Sequence, residues 1–133
     1  MIISHQLLDD LTEKAKASPR MRMHFDLRDS VEDDSQRMLN AVEPETVIPI
    51  HRHSSTSEDV VILRGKAVEI FFDNDGREES RCYLAPYGSG PETMPVVHVP
   101  MGQYHTLQSL ESGTVIIEFK NGKYDPFGTE EFL

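Results

Sequence analysis

The chain has a single cysteine, Cys82, and no tryptophan in its 133 residues. A lone cysteine excludes an internal disulfide and fits a reducing cytoplasm. Basic residues are scarce, 13 Lys plus Arg against 23 Asp plus Glu, for a net charge of −10. That balance opposes binding to nucleic acid and docking on anionic lipid. No apolar run approaches the roughly 18 residues that a membrane span needs. The opening Met1-Ile2-Ile3-Ser4-His5 has neither the basic nor the apolar region of a secretory signal. There is also no phosphate-cradling glycine loop, nucleophile elbow or dinucleotide fingerprint. These absences point to a cytoplasmic protein whose partner is a small molecule, without nucleic acid or membrane.

The length suits one domain, since domains run about 100–150 residues. We read 1–133 as one unit: an N-terminal helix within 1–18, a β-barrel core over 36–120, and a C-terminal tail over 121–133. Ser4 can cap the helix, with Ile3 and Leu8 as its hydrophobic staple. Leu7, Leu11 and Ala15 form its apolar stripe, and Ser18-Pro19 ends it. Short strand patterns follow at Gln36–Val42, Thr46–His51, Asp59–Leu63, Lys66–Phe72, Arg81–Leu84, Val96–Val99, Thr106–Ser109 and Thr114–Lys120. Asp73-Asn74-Asp75-Gly76 and Glu111-Ser112-Gly113 supply turns, and Pro86–Pro95 reads as a loop. Eight or so short strands with turns between them predict an all-β closed barrel or jelly roll. The tail carries Tyr124, Phe127 and Phe132, so we expect it to lie along the barrel or a neighbouring subunit.

The chemistry concentrates in two segments. His51-Arg52-His53 places two imidazoles at i and i+2, on one face of a strand. A loop of four residues then leads to Glu58, and Gly65 follows after six more. Period two continues from Glu58 to Val60 and Ile62, so the carboxylate shares the inner face with apolar wall residues, and Asp59 faces outward. Further on, Pro100 and Gly102 shape a tight turn that delivers His105 at a strand start. Three neutral imidazoles and one carboxylate form a mixed nitrogen and oxygen site for a divalent transition metal. The candidate ligands are His51, His53, Glu58 and His105. Fe, Mn, Ni, Co and Zn all suit them, at one ion per chain.

These two segments resemble the signature motifs of the cupin superfamily. The second departs from the pattern at Ser109, where many cupins have Asn, and at Met94, where a Gly usually precedes Pro100 by six residues. The helix ending in Ser-Pro-Arg, the stretch Gln36-Arg37-Met38-Leu39-Asn40-Ala41, the His51-Arg52-His53 triplet and the tail Gly122-Lys123-Tyr124-Asp125-Pro126 are together similar to the WbuC family of cupin-fold metalloproteins. That resemblance implies a cupin double-stranded β-helix, or jelly-roll barrel, with a short N-terminal α-helix. It also implies a bacterial origin and an association with polysaccharide biosynthesis.

His5 and His24 read as ordinary exposed or hydrogen-bonded residues. His98 is held in reserve, because alternation along Val97-His98-Val99 can turn it inward. Tyr83, Tyr87, Tyr104, Gln103, Arg37 and Glu69 are candidates for a polar pocket, though each more commonly serves as wall or rim. Cys82 reads as a packed side chain. Four protein ligands leave two open positions on an octahedral metal, as a catalytic site does. The sequence supports three readings of function: a metal-dependent enzyme acting on a small polar substrate, such as a sugar or sugar nucleotide; a dioxygenase, if the metal is Fe(II); and a non-catalytic module that binds or senses a small molecule. An exposed helix and an aromatic tail leave apolar surface to cover, which predicts a homodimer.

Overall fold

Ser4 caps helix α1, His5–Ala17, and its hydroxyl accepts from the Leu7 amide at 3.2 Å. The helix stops at Ser18, whose extended backbone (φ −83°, ψ 141°) is the conformation favoured before proline. The buried positions are Leu8, Leu11, Thr12 and Ala15, so the apolar face is centred nearer Leu8 than Leu7. The structure is a computed structural model that describes residues 1–125, 128 and 130–133.

Ten strands follow among the described residues: β1 Arg22–Asp26, β2 Ser35–Val42, β3 His51–His53, β4 Glu58–Arg64, β5 Ala67–Phe72, β6 Glu78–Leu84, β7 Val96–Val99, β8 Tyr104–Ser109, β9 Val115–Asn121 and β10 Glu130–Phe132. They form two antiparallel sheets of five, ordered β1-β2-β9-β4-β7 and β10-β3-β8-β5-β6. Between the sheets, Val42, Val60, Ile62 and Ile116 meet Ala67, Leu84 and Leu107 in one apolar cluster. On the outer side of the first sheet, Leu8, Leu11 and Ala15 of α1 pack on Leu39, Ala41 and Val115. This is the predicted all-β jelly roll with a short N-terminal helix.

Alternation assigns the faces of the first sheet. Leu39 and Ala41 of β2 meet the helix, so Asn40 and Val42 face inward. Likewise Met23 and Phe25 of β1 pack toward the helix cluster, leaving Arg22 on the inner side. Ile117 of β9 also joins that cluster, so Ile116, Glu118 and Lys120 turn inward. Arg64 ties the helix to the sheet: its guanidinium donates to the Gly113 and Leu8 carbonyls, the Thr12 hydroxyl and Asp9.

Two expectations needed revision. Strand β1 lies in a segment the sequence did not mark. It is an edge strand of five residues with a weak apolar pattern, and it pairs with β2 alone. The stretch Thr46–His51 is not a strand. Thr46 closes a turn onto the Glu43 carbonyl and its hydroxyl donates to Met21 O at 2.6 Å, while Pro49 has no N–H for a ladder. Regular pairing begins at His51. The described end of the tail lies along the barrel. Its last strand, β10, adds to β3 with Glu130 opposite His53 and Phe132 opposite His51. Tyr124 sits beneath the Arg28 guanidinium, 5.6 Å from it, whereas Phe127 and Pro126 lie outside the described residues. Among the described residues, no helix is long and apolar enough to cross a membrane.

Candidate metal centre

The first motif needs Gly65 for a steric reason. Its φ is +87°, and a Cβ there would come within 2.3 Å of the Thr114 hydroxyl oxygen. That close approach sets the bend after β4. In the second motif, Gln103 N donates to Pro100 O at 3.2 Å, and Gly102 takes the positive φ (+82°) that a type II turn requires. Gly102 N also donates to His53 O at 2.9 Å, so this turn is tied directly to β3.

The two turns bring the four predicted residues together. His51 pairs opposite His105 across β3 and β8. His53 shares the inner face of β3, while Arg52 points out to Glu131 and stacks over the Tyr104 ring. The His51–His105, His51–His53 and His53–His105 ring centroids are 4.4, 5.0 and 5.7 Å apart. One nitrogen from each ring falls within 4.8 Å of the others. Glu58 approaches from the facing sheet, its Oε2 lying 3.3 Å from His53 Nε2 and 3.9 Å from His105 Nε2. His53, Glu58 and His105 are all at most 5% exposed.

The backbone fixes which nitrogens face the cluster. His51 Nδ1 lies 2.8 Å from Pro49 O, and His105 Nδ1 lies 2.9 Å from Gln103 O. A carbonyl can only accept, so each Nδ1 carries the proton and each Nε2 presents a lone pair. His53 Nε2 is buried and makes no hydrogen bond of good geometry, with Glu58 Oε2 3.3 Å away. A buried polar atom left unpaired costs stability unless something else binds it. This donor set therefore fits a divalent metal, the one class of ligand that engages three imidazole lone pairs and a carboxylate at once.

Electrostatics prepare the same state. Burial lowers the pKa of His51 and of His105, favouring the neutral, ligating imidazole. Burial alone would raise Glu58, but the His53 ring and the Lys120 ammonium, followed by His105, outweigh it and hold the carboxyl down at about 2.

The four residues form one end of a cavity of about 330 Å³ between the sheets. Sequence reasoning missed several of its walls. Glu118 and Lys120 of β9 line it, as do Arg20, Arg22 and Asn40 from the first sheet and its approach, and Glu130 and Phe132 of β10. The signal was present for β9: Ile116, Glu118 and Lys120 share one parity, and two charges on the inner face of a buried strand mark a polar cavity. Of the six pocket candidates, only Glu69 is among the cavity residues. Tyr83 and Tyr87 are exposed, Gln103 donates to Phe72 O, Arg37 pairs with Asp33, and Tyr104 faces Arg52. His98 points outward to Asp59, 2.7 Å away, which removes it as a reserve ligand. His5 and His24 are exposed and distant from the cluster.

Burial, with the negative charge of Glu58 next, lifts Glu69 well above the usual carboxylate range. Burial and then Glu58 also raise Glu118 to about 7, against the pull of Lys120. A carboxyl whose folded pKa is raised holds its proton more tightly in the folded state. Its contribution is therefore intact at low pH and is lost as pH climbs from about 4.5 to about 7. In chelator-stripped protein, Glu118→Gln should leave stability nearly unchanged near pH 5 and raise it by about 1–2 kcal/mol at pH 8. Urea unfolding at both pH values measures this, and an equal effect at both would remove Glu118 as the source.

A family model described as "Domain of unknown function (DUF6016)" matches residues 3–84. This chain belongs to the DUF6016 family. No curated protein matches it. The DUF6016 chain is similar in fold to several solved structures. One is the capsular polysaccharide assembling protein CapF from Staphylococcus aureus, at TM-score 0.71 and 23% identity, over 87% of this chain and 32% of that one. Another is an oxalate decarboxylase–formate complex from Lactobacillus farciminis, at TM-score 0.59 and 13% identity, over 84% and 31%. A third is oxalate oxidase with the substrate analogue glycolate, at TM-score 0.64 and 11% identity, over 89% and 58%. The chain spans about a third of the length of CapF. These likenesses place the protein in the cupin fold.

Proposed function

We propose that this DUF6016 protein is a metal-dependent enzyme acting on a small polar substrate, with one divalent transition metal held by His51, His53, Glu58 and His105. The observation that carries the reading is the buried, unpartnered His53 Nε2 facing Glu58, beside two imidazoles whose Nδ1 protons are committed to backbone carbonyls. Bound there, such a metal supplies Lewis acidity toward a substrate oxygen. The chain's own residues do the rest. Phe132 and Leu107 give the cavity apolar walls, and Lys120 and Glu118 put a cation and a carboxyl beside the ligand set. Glu118 favours catalysis over passive binding, because a half-buried carboxyl poised near neutrality can accept or release a proton.

CapF is named for capsular polysaccharide assembly, which supports a sugar or sugar-nucleotide substrate. The resemblance to the WbuC family agrees with that. The complexes with formate and glycolate support small oxygen donors, and Fe(II) in the four-residue site of this chain would leave room for oxygen chemistry. The deciding experiment is metal analysis of the purified protein, then a thermal-shift screen of sugars, sugar phosphates and small acids with product analysis of each hit. Hits that stabilise the protein and are recovered unchanged would make it a sensing module. We also propose a homodimer, supported by exposed Ile2, Val96, Phe119 and Phe132. Light scattering at roughly tens of micromolar should report twice the 15.1 kDa chain mass, and a monomer would overturn it.

A further inference from the structure

Arg20 and Arg22 line the cavity that holds the His51–His53–Glu58–His105 cluster. In a chain with 23 acidic and 13 basic residues, cations usually find carboxylates. Arg28, Arg37, Arg52, Arg64 and Arg81 do, whereas Lys14, Lys66 and Arg77 have no ion pair among the described residues and do not line the cavity. Neither Arg20 nor Arg22 has an ion pair or a ring contact among the described residues.

The residue between them shows that the placement is built. Met21 has φ +55°, in the left-handed region that costs a non-glycine residue roughly 1 kcal/mol. It is held there by three hydrogen bonds: its N–H donates to Ser18 O at 3.0 Å, and its carbonyl accepts from Glu43 N at 3.0 Å and from the Thr46 hydroxyl at 2.6 Å. Backbone strain of this kind persists where the surroundings over-determine it, and it concentrates at ligand clamps. Here the left-handed residue reverses the chain between helix and sheet and leaves both arginines lining the cavity, Arg20 exposed at its rim and Arg22 half-buried. Lys120 adds a third cation on the inner face of β9, 3.9 Å from Glu58.

We propose that Arg20 and Arg22 form a clamp for the anionic end of the ligand, so that the substrate class is a small oxyanion, carrying a carboxylate or a phosphate monoester. This rests on the metal reading above for the ligand's other end. Guanidinium forks match both anions through paired N–H donors. The cavity is partly open to solvent, and its volume of about 330 Å³ admits a small hydroxy acid or a sugar phosphate.

The test is calorimetric titration of the full chain, metal-free and loaded with Co²⁺, using glycolate, glycerol 3-phosphate and glycerol as probes. One or both acids should bind the loaded wild type, and neutral glycerol should not. Which acid binds decides between carboxylate and phosphate. An Arg20→Gln, Arg22→Gln double variant should weaken acid binding by about tenfold or more, given the strength of charge-assisted bonds. Its Co²⁺ affinity, measured separately, should stay within about twofold, which also shows that it folds. A charge-matched control, Lys14→Gln with Arg77→Gln, should bind acids like the wild type. The clamp is overturned if neither acid binds the loaded protein, if the arginine variant binds equally well, or if the control loses as much. If the wild type takes up no Co²⁺, the metal reading fails by itself. Acid binding by the metal-free protein that depends on the two arginines would then still support the clamp, and its absence would overturn it.

Discussion

A His51→Ala, His53→Ala double variant should lose at least about a hundredfold in metal affinity while keeping its fold. Changing a residue that merely supports a metal ligand typically costs roughly ten- to hundredfold, and this variant removes two of the imidazoles outright. Retention of the fold follows from what the two side chains do without metal. His53 Nε2 has no hydrogen-bond partner, so its removal deletes an unsatisfied buried group and no good bond. His51 loses one contact to Pro49 O, at the half-buried end of a three-residue strand. The apolar cluster of Val60, Ile62, Ile116 and Leu107 is untouched. The sharpest readout is therefore differential. Wild-type protein should gain about 2.7 kcal/mol of stability when metal is present at a hundred times its dissociation constant. The double variant should show almost no metal-dependent shift while its metal-free unfolding curve stays close to wild type. Full occupancy in the variant would remove the assignment.

The fold and the convergence of the four candidate ligands were largely legible because each rests on a local pattern with one spatial meaning. His51 and His53 at i and i+2 must share a strand face, and the run Glu58, Val60, Ile62 must share another. Gly65 and Gly102 mark backbone that only glycine adopts easily: Gly65 lets the chain pass close to Thr114 after β4, and Gly102 turns it just before His105. The rest of the cavity was not legible for the opposite reason. Arg22 sits on an edge strand whose pattern is too short to announce itself, and Arg20 reaches the cavity only through the left-handed turn at Met21. Glu130 and Phe132 come from the far end of the chain, and their place beside His53 and His51 depends on pairing across almost eighty residues. His98 shows the limit of alternation without a register. Its strand was predicted correctly, but its inward or outward sense depended on Asp59 standing opposite it, and Asp59 faces outward because Glu58 faces inward.

That dependence gives the contrast between neighbours. Glu58→Gln should lower metal affinity by at least about ten- to hundredfold, and Asp59→Asn should leave it almost unchanged. The two positions differ by one residue and by which side of β4 they occupy. Glu58 is 5% exposed and faces the three imidazoles; Asp59 is exposed and meets His98 on the outer surface. Of the three carboxyls Glu58, Glu69 and Glu118, burial raises the last two, so Glu58 carries the formal charge that offsets a cation at neutral pH. A glutamine keeps the shape and offers a neutral amide oxygen. The positive charges left behind, the bound ion and the Lys120 ammonium that stood 3.9 Å from the carboxylate, then lack an anion in a partly apolar cavity. The exposed Asp59–His98 pair belongs to the surface class whose loss costs about 0–1 kcal/mol and does not reach the site. Both variants are titrated with the same metal against the same chelator. Damage in Asp59→Asn with Glu58→Gln intact would mean that β4 presents its odd-numbered face inward, placing Asp59, Val61 and Leu63 in the barrel, and the carboxylate ligand would be reassigned to Asp59.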